Sequence, residues 1–233
     1  MDLYESLMKT GLTRHESELY VALSREGELT GYEAAKITGI PRANTYQALS
    51  GLVSKGAAYL IEGNVLHYGA VPVDEYCRSI ARTIEGVLNK IRRECPVGKT
   101  PSEAYITIKG IRPILDKMKN MIDQAKERIY ISCSGLEFDA LREELANACK
   151  RELKVVAISS DAEELEGMTL YRIDKKPGSV RLIVDSSQVL TGELAMTDED
   201  TCLYSRNKPL VELIKDSLKN EIRLSEVEKG TRL

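Results

Sequence analysis

Residues 41–56, PRANTYQALSGLVSKG, are the stretch on which the reading of the chain turns. Tyr46, Leu49, Leu52 and Val53 recur at helical spacing between Pro41 and Gly56, which predicts a short amphipathic helix with those four side chains toward a small core. Arg42, Asn44, Thr45 and Gln47 are then left near the N-terminal end of its polar face. That is the end of a recognition helix that enters a DNA major groove. Arg can grip guanine bidentately and Asn or Gln can do the same to adenine, so these side chains form a set of base readers within about one and a half turns. Any amphipathic helix has a polar face, so the neighbouring segments decide the matter.

Upstream, Thr13 with Glu16 and Thr30 with Glu33 are two capping boxes, each opening a helix. The first carries Leu19, Tyr20, Ala22 and Leu23 as its apolar stripe and ends at Gly27; the second runs through Ala34, Ala35 and Ile37 and stops at Gly39. This second helix and the 41–56 helix, joined by a tight Gly-containing turn through Ile40 and Pro41, make a helix-turn-helix. Downstream, residues 58–62 and 65–70 read as strands around Gly63-Asn64, a hairpin with a tight turn, and a hairpin in that place is the wing of a winged helix. Residues 34–61 contain no acid, and Lys36, Lys55 and the wing residues Asn64 and His67 are candidates for the phosphate backbone or minor groove. The plainer reading of His67 is an ordinary half-exposed strand residue.

On these residues the run from Gly11 to Tyr76 resembles the N-terminal domain of the TrmB-type family of transcriptional regulators. The matching features are Gly11-Leu12-Thr13 with Glu16 and Tyr20, Gly39-Ile40-Pro41-Arg42 with Thr45 and Tyr46, Leu49 and Leu52 before Lys55-Gly56, and Tyr68-Gly69-Ala70-Val71-Pro72. Ala57-Ala58 departs from a usual Leu-Val pair, and Gly69 from a common Arg or Lys, which removes one expected backbone contact. The resemblance implies a sequence-specific regulator of double-stranded DNA contacted through Lys36, Arg42, Asn44, Thr45, Tyr46, Gln47, Lys55, Asn64 and His67.

Residues 73–95 predict one longer helix whose stripe, Tyr76, Ile80, Ile84, Val87, Leu88 and Ile91, has no partner in its own segment. It pairs with its copy in a homodimer, as in the resembled family, or packs on its own wing domain. A dimer would read a pseudo-palindrome with two recognition helices. Pro96 to Ser102 reads as a linker, giving a winged helix over 1–72, a linking helix over 73–95 and an α/β domain over 103–229.

In that last part strands alternate with helices, which predicts a largely parallel sheet. Val180 to Asp185, followed by Gly192, is similar to the core of phospholipase D-like domains, which the resembled regulators also carry. Those enzymes need His-x-Lys-x4-Asp. Aligned on Asp185, the first two places hold Gly178 and Val180, and both histidines, His15 and His67, lie in the first half, so no catalytic residue is expected. Ser132 and Ser134 follow one predicted strand and Ser159 another, at carboxyl ends where open sheets place ligands; with Asp185 they are candidates for a small polar effector. The ordinary alternatives are helix caps for the serines and a turn residue for Asp185.

Composition sets the outer bounds. The 233 residues are 42% apolar and 30% charged with a net charge of −3, which builds two cores and argues against indiscriminate polyanion binding. No apolar run approaches the roughly 18 residues of a membrane span and the N-terminus lacks a signal-peptide layout, so a cytoplasmic protein without membrane contact is expected. Five cysteines without a CxxC spacing predict no metal site and reduced, mostly buried thiols; no cofactor is expected. Two further functions stay open: a winged helix that binds protein, and a phosphodiesterase-like enzyme.

Overall fold

Hydrogen-bonded caps begin the first three helices of the N-terminal half. The computed structural model describes residues 2–96, 105–174 and 178–231, in two units, Met1–Gly98 and Lys99–Leu233. In the first, α1 (Leu3–Lys9) opens on Asp2, and α2 (Arg14–Glu26) on Thr13, whose N–H donates to Glu16 Oε2 at 2.6 Å. A two-residue β1 (Leu29–Thr30) leads into α3 (Gly31–Thr38), where Thr30 and Glu33 repeat the arrangement. Gly39 ends α3 at φ 74°, a left-handed turn that a side chain would strain. Then come α4 (Arg42–Ser54), β2 (Ala58–Ile61), β3 (His67–Ala70) and α5 (Val73–Glu94).

The wing differs from its expected form. The sheet has three antiparallel strands in the order β1-β3-β2, with Tyr68 paired to Leu29 on one side and Leu60 on the other. Tyr68 is buried in the core, so it fixes the register, and pairing ends at Ile61 opposite His67. Residues 62–66 form the connection, longer than the tight Gly63-Asn64 turn expected. The core gathers Leu19, Leu23, Leu49, Leu52 and Tyr68. Tyr76 fastens the start of α5 to it, its ring 5.2 Å from that of Tyr20 and its hydroxyl 2.7 Å from Thr10 Oγ1. Beyond Ile80 every residue of α5 is exposed.

A buried carboxylate locks α2 to α4. Glu16 is 5% exposed; besides capping α2 it accepts from Lys55 Nζ at 2.6 Å, and that amine also donates to the Gly11 carbonyl at 2.9 Å. A Cβ at Gly51 of α4 would overlap the Glu16 carboxylate, so glycine there leaves the room it occupies.

The second unit contains β4 (Tyr105–Lys109), α6 (Ile111–Asp123), β5 (Arg128–Ser132), α7 (Gly135–Ala140), α8 (Arg142–Lys150), β6 (Lys154–Ile158), β7 (Met168–Tyr171), β8 (Ser179–Val184), β9 (Gln188–Glu193), β10 (Thr201–Ser205) and α9 (Lys208–Thr231). The sheet runs β4-β10-β9-β8-β5-β6-β7, and only β5–β6 and β6–β7 are parallel. The expected largely parallel sheet is therefore corrected to a mixed one. The cause is local: Asp185 and Ser186 both have positive φ and turn β8 directly into β9 as a hairpin, and β10 and β4 continue antiparallel. Helices α6, α7 and α8 cover one face around Met118, Phe138 and Leu145, while α9 lays Val211 and Leu218 on Ile183 and Val189 of the other. Helices α7 and α8 meet at the buried Leu141, where the helical run is broken.

Cys77 and Cys95 are exposed on or at the end of α5, against the expectation of mostly buried thiols, whereas Cys133 and Cys202 are buried. Burial, with Asp200 nearby, pushes the Cys202 thiol up to about 11. No helix among the described residues is long and apolar enough to cross a membrane. The expected linker falls at Pro96 and then outside the described residues.

The Glu16 lock makes stability depend on pH. Burial pushes this carboxyl up, but hydrogen bonds from Lys55 and from Thr13 outweigh it and hold it below its ordinary 4.5. Its contribution is thus full above pH 4.5 and is lost as pH falls through the lowered value. Thermal melts of wild type and Glu16→Gln should differ at pH 7 and converge as acid neutralises the carboxyl below its lowered folded-state value; a constant difference would exclude the ionised lock.

Candidate nucleic-acid interface

The buried side of α4 is Thr45, Ala48, Leu49 and Leu52, so the exposed side carries Arg42, Ala43, Tyr46, Gln47 and Ser50, with Asn44 beside them. This corrects the expected stripe at one turn. Thr45, expected to read bases, is fully buried, and its hydroxyl is hydrogen-bonded to the carbonyls of Ile40 and Pro41, both at 3.2 Å. Tyr46, expected to be both a core anchor and a DNA contact, is 49% exposed and rests its ring on Gly31, where a Cβ would collide with it. Thr45 takes the inward place because its short hydroxyl ties down the turn before α4, a position too close for a phenol.

Arg42, Asn44 and Gln47 are exposed, on the first two turns of α4. Arg42 and Tyr46 flank α3, and the Arg42 guanidinium lies 4.6 Å from the ring centre of Tyr32. Asn44 and Gln47 face the other way, sharing a shallow hollow with Thr13, His15 and Glu16 at the start of α2. Tyr32 and the exposed His15 were missed by sequence reasoning. Each lies outside the recognition helix, and only the packing of α2 and α3 on α4 brings it to this surface.

The phosphate contacts need more revision. Lys36 is exposed on α3. Lys55, by contrast, has its ammonium group held by Glu16 and Gly11 and is part of the fold. Residues 59–71 contain neither Lys nor Arg. Asn64 is exposed in the wing connection, among the exposed apolar residues Leu60, Val65 and Leu66. His67 is half-buried, one ring nitrogen 2.9 Å from the Val65 carbonyl oxygen, so the wing offers neutral hydrogen bonds and apolar surface in place of a cationic clamp.

In the second unit the four candidate effector residues do not converge. Asp185 lies at the opposite end of the strands from the serines, its carboxylate accepting from the N–H groups of Lys126, Glu127 and Arg128 at 2.9–3.0 Å. It ties the β8–β9 turn to the start of β5, so its ligand role is withdrawn. Burial pushes this carboxyl up, but these three donors hold it below the ordinary carboxylate range. Ser134 caps α7, with N–H and hydroxyl both on Glu137 Oε2. Ser159 hydroxyl donates to Asp161 and accepts from the Ala162 N–H, both at 3.2 Å. Asp161 also receives the Gly135 N–H at 2.9 Å, so Ser134 and Ser159 belong to one set of local caps. Ser132 is buried, and its hydroxyl makes no hydrogen bond among the described residues; strand alternation puts it with Tyr130 on the α9 face.

Comparison with known proteins gives matches along most of the chain. The family described as "Sugar-specific transcriptional regulator TrmB" matches residues 7–74, and "Transcriptional regulator TrmB, EBD N-terminal subdomain" matches residues 104–222. The YrhO protein of Bacillus subtilis (strain 168) is 26% identical over 242 residues, covering 99% of this chain and 88% of its own. The DNA-binding HTH-type transcriptional repressor TrmBL2 of Thermococcus kodakarensis is 27% identical over 184 residues, 71% of this chain and 70% of its own. Among solved structures, that of TrmBL2, described as an archaeal chromatin protein, aligns with TM-score 0.48 and 21% identity over 94% of this chain and 96% of that one.

Substitution of Lys55 separates support of the fold from phosphate contact. Lys55→Ala leaves the buried Glu16 charge without its cation and should cost about 2 kcal/mol of stability, read from denaturant unfolding. Where the variant is still folded, the salt dependence of duplex binding should stay that of wild type. A slope reduced by about one, with stability intact, would return Lys55 to the DNA.

Proposed function

The chain belongs to the TrmB family and is a DNA-binding transcriptional regulator, and from that premise we propose that α4 reads its operator as one half of a homodimer. The observation that carries this reading is the exposure of Arg42, Asn44 and Gln47 together on the leading turns of α4, opposite a fully buried stripe. Arg42 suits guanine, and Asn44 and Gln47 suit adenine. Lys36, His15, Asn64 and His67 lie where they would hold the backbone, and Tyr46 flanks the readers. Two cations and two imidazoles make a weak electrostatic grip, so one unit alone would bind loosely.

The exposed face of α5 supports the second half of the proposal. Val73, Cys77, Ile80, Ile84, Val87 and Ile91 alternate at spacings of four and three, and Val73, Ile84, Val87 and Ile91 are each about half exposed. The first turn holds Asp74 and Glu75 and the last holds Arg92 and Arg93. Antiparallel pairing with a second copy sets acids against bases and opposes the helix dipoles, whereas parallel pairing gathers like charges. A helix of 22 residues is roughly 33 Å long, so antiparallel pairing separates the two winged domains by about one turn of DNA.

The second unit is read as non-catalytic. Gly178 stands where the phospholipase D pattern has its nucleophile, at φ 76°, and a Cβ there would overlap the Leu194 backbone. Val180, in the place of the phosphate-holding Lys, is wholly buried. The backbone thus leaves no room for the nucleophile, and the core no solvent for the cation.

Two measurements test the proposal. Arg42→Ala should cost about 1–3 kcal/mol of operator binding and relax the preference at one base position in a competition gel shift; equal losses on operator and random duplex would defeat base reading. Ile84→Lys should convert a dimer to a monomer in sedimentation and weaken operator binding by about a hundredfold, with an unchanged circular dichroism spectrum. A variant that sediments as wild type does would sink pairing through this face.

A further inference from the structure

Tyr32 is 52% exposed on the first turn of α3, an unusual place for a large aromatic side chain with no core to enter. The Arg42 guanidinium lies over its ring at 4.6 Å and makes no other hydrogen bond or ion pair among the described residues. The neighbouring Gly31 accepts the Tyr46 ring, so two consecutive residues of α3 receive two side chains one turn apart on α4. This double contact sets the register of α3 against the leading turns of α4.

Stacking and base reading use different parts of a guanidinium. Contact with the aromatic face occupies the flat side of the group, while its N–H donors radiate in the plane. An exposed arginine must otherwise give up rotamer freedom when it grips a guanine. We propose that Tyr32 is a positioning residue for base recognition: its ring holds the Arg42 guanidinium edge-on to the groove, and its hydroxyl is free to donate to a flanking phosphate. The inference rests on the reading of Arg42 as a base reader. It adds a specificity determinant on the helix that in this motif otherwise braces the recognition helix.

Ring and hydroxyl make separable contributions. Tyr32→Phe keeps the stack and should retain wild-type discrimination at the base read by Arg42, losing only a small affinity common to all duplexes. Tyr32→Leu keeps apolar bulk without the aromatic face and should lower discrimination at that one position by about three- to fivefold, leaving the other positions unchanged. The experiment is a competition gel shift of the full-length protein against an operator and its single-base variants. It includes wild type, Tyr32→Phe, Tyr32→Leu, Arg42→Ala and the double variant Tyr32→Leu/Arg42→Ala.

The proposal requires that Tyr32→Leu change nothing further once Arg42 is alanine. Independent, additive losses, or equal loss of discrimination in Tyr32→Phe and Tyr32→Leu, would overturn it while leaving Arg42 as a reader. Should Arg42→Ala itself leave the base preferences untouched, base reading fails first and the role of Tyr32 falls with it. A uniform loss of affinity in Tyr32→Leu on every duplex, with Arg42→Ala base-selective, would reduce Tyr32 to a backbone contact.

Discussion

The buried carboxylate of Glu16 is the constraint from which the geometry of the DNA-binding unit follows. One side chain caps α2 through the Thr13 N–H, pairs with Lys55 just beyond the end of α4, and fills the space that Gly51 leaves open. A charge at this depth is tolerated only when its lone pairs are satisfied, so Thr13, Glu16, Gly51 and Lys55 act as one unit. Its effect is directional. A carboxylate between two helices with fixed partners on both permits one relative placement, whereas the apolar contacts of Leu19, Leu23, Leu49 and Leu52 tolerate sliding. The orientation in which α4 presents its exposed face is set by that lock.

Commitment of Lys55 to the fold changes the electrostatics of recognition. Of the cations proposed for DNA contact, Lys36 and Arg42 remain exposed, and residues 59–71 contain neither Lys nor Arg. Counterion release scales with the number of phosphates neutralised, so such a surface has a shallow salt slope and little affinity for arbitrary duplex. On the reading proposed for α4, discrimination comes from the directional contacts of Arg42, Asn44 and Gln47, and affinity from joining two such surfaces. A net charge of −3 likewise disfavours binding to bulk DNA.

The second unit follows a different economy of polar groups. Asp161, Asp185 and Asp200 each collect several donors, largely from backbone N–H groups at turns or helix starts; in all three burial raises the carboxyl and the hydrogen bonds outweigh it. They stitch loops to strand ends. The strand ends that the sequence marks as ligand-binding are therefore occupied by their own caps, and Ser132 stands apart from them beneath α9. The two parallel strand pairs lie toward one edge of the sheet and the antiparallel hairpins toward the other, so the unit has less of the open parallel crevice that the alternation of elements suggests.

What could be read in the sequence was local, and what could not was a contact between distant residues. Both capping boxes, the helix end at Gly39 and the long α5 follow from spacings of a few residues, and the structure has each of them; of the α5 stripe, Tyr76 and Ile80 pack on the N-terminal core and the rest is exposed. Spacing and polarity put Thr45 and Tyr46 on the wrong sides of α4 because a phenol looks more apolar than a threonine; a hydroxyl that satisfies two carbonyls in the preceding turn outweighs that preference. Lys55 looked free because its partner lies 39 residues upstream. Tyr32 and His15 come beside the exposed side of α4 only after three helices have packed. The wing register was likewise misjudged: Gly63-Asn64 is a strong turn signal, but burial of Tyr68 between two strands decides where pairing stops. In each case a tertiary contact overrode a local preference that was correct in kind, which is why the helices of the site were legible and its working side chains only partly so.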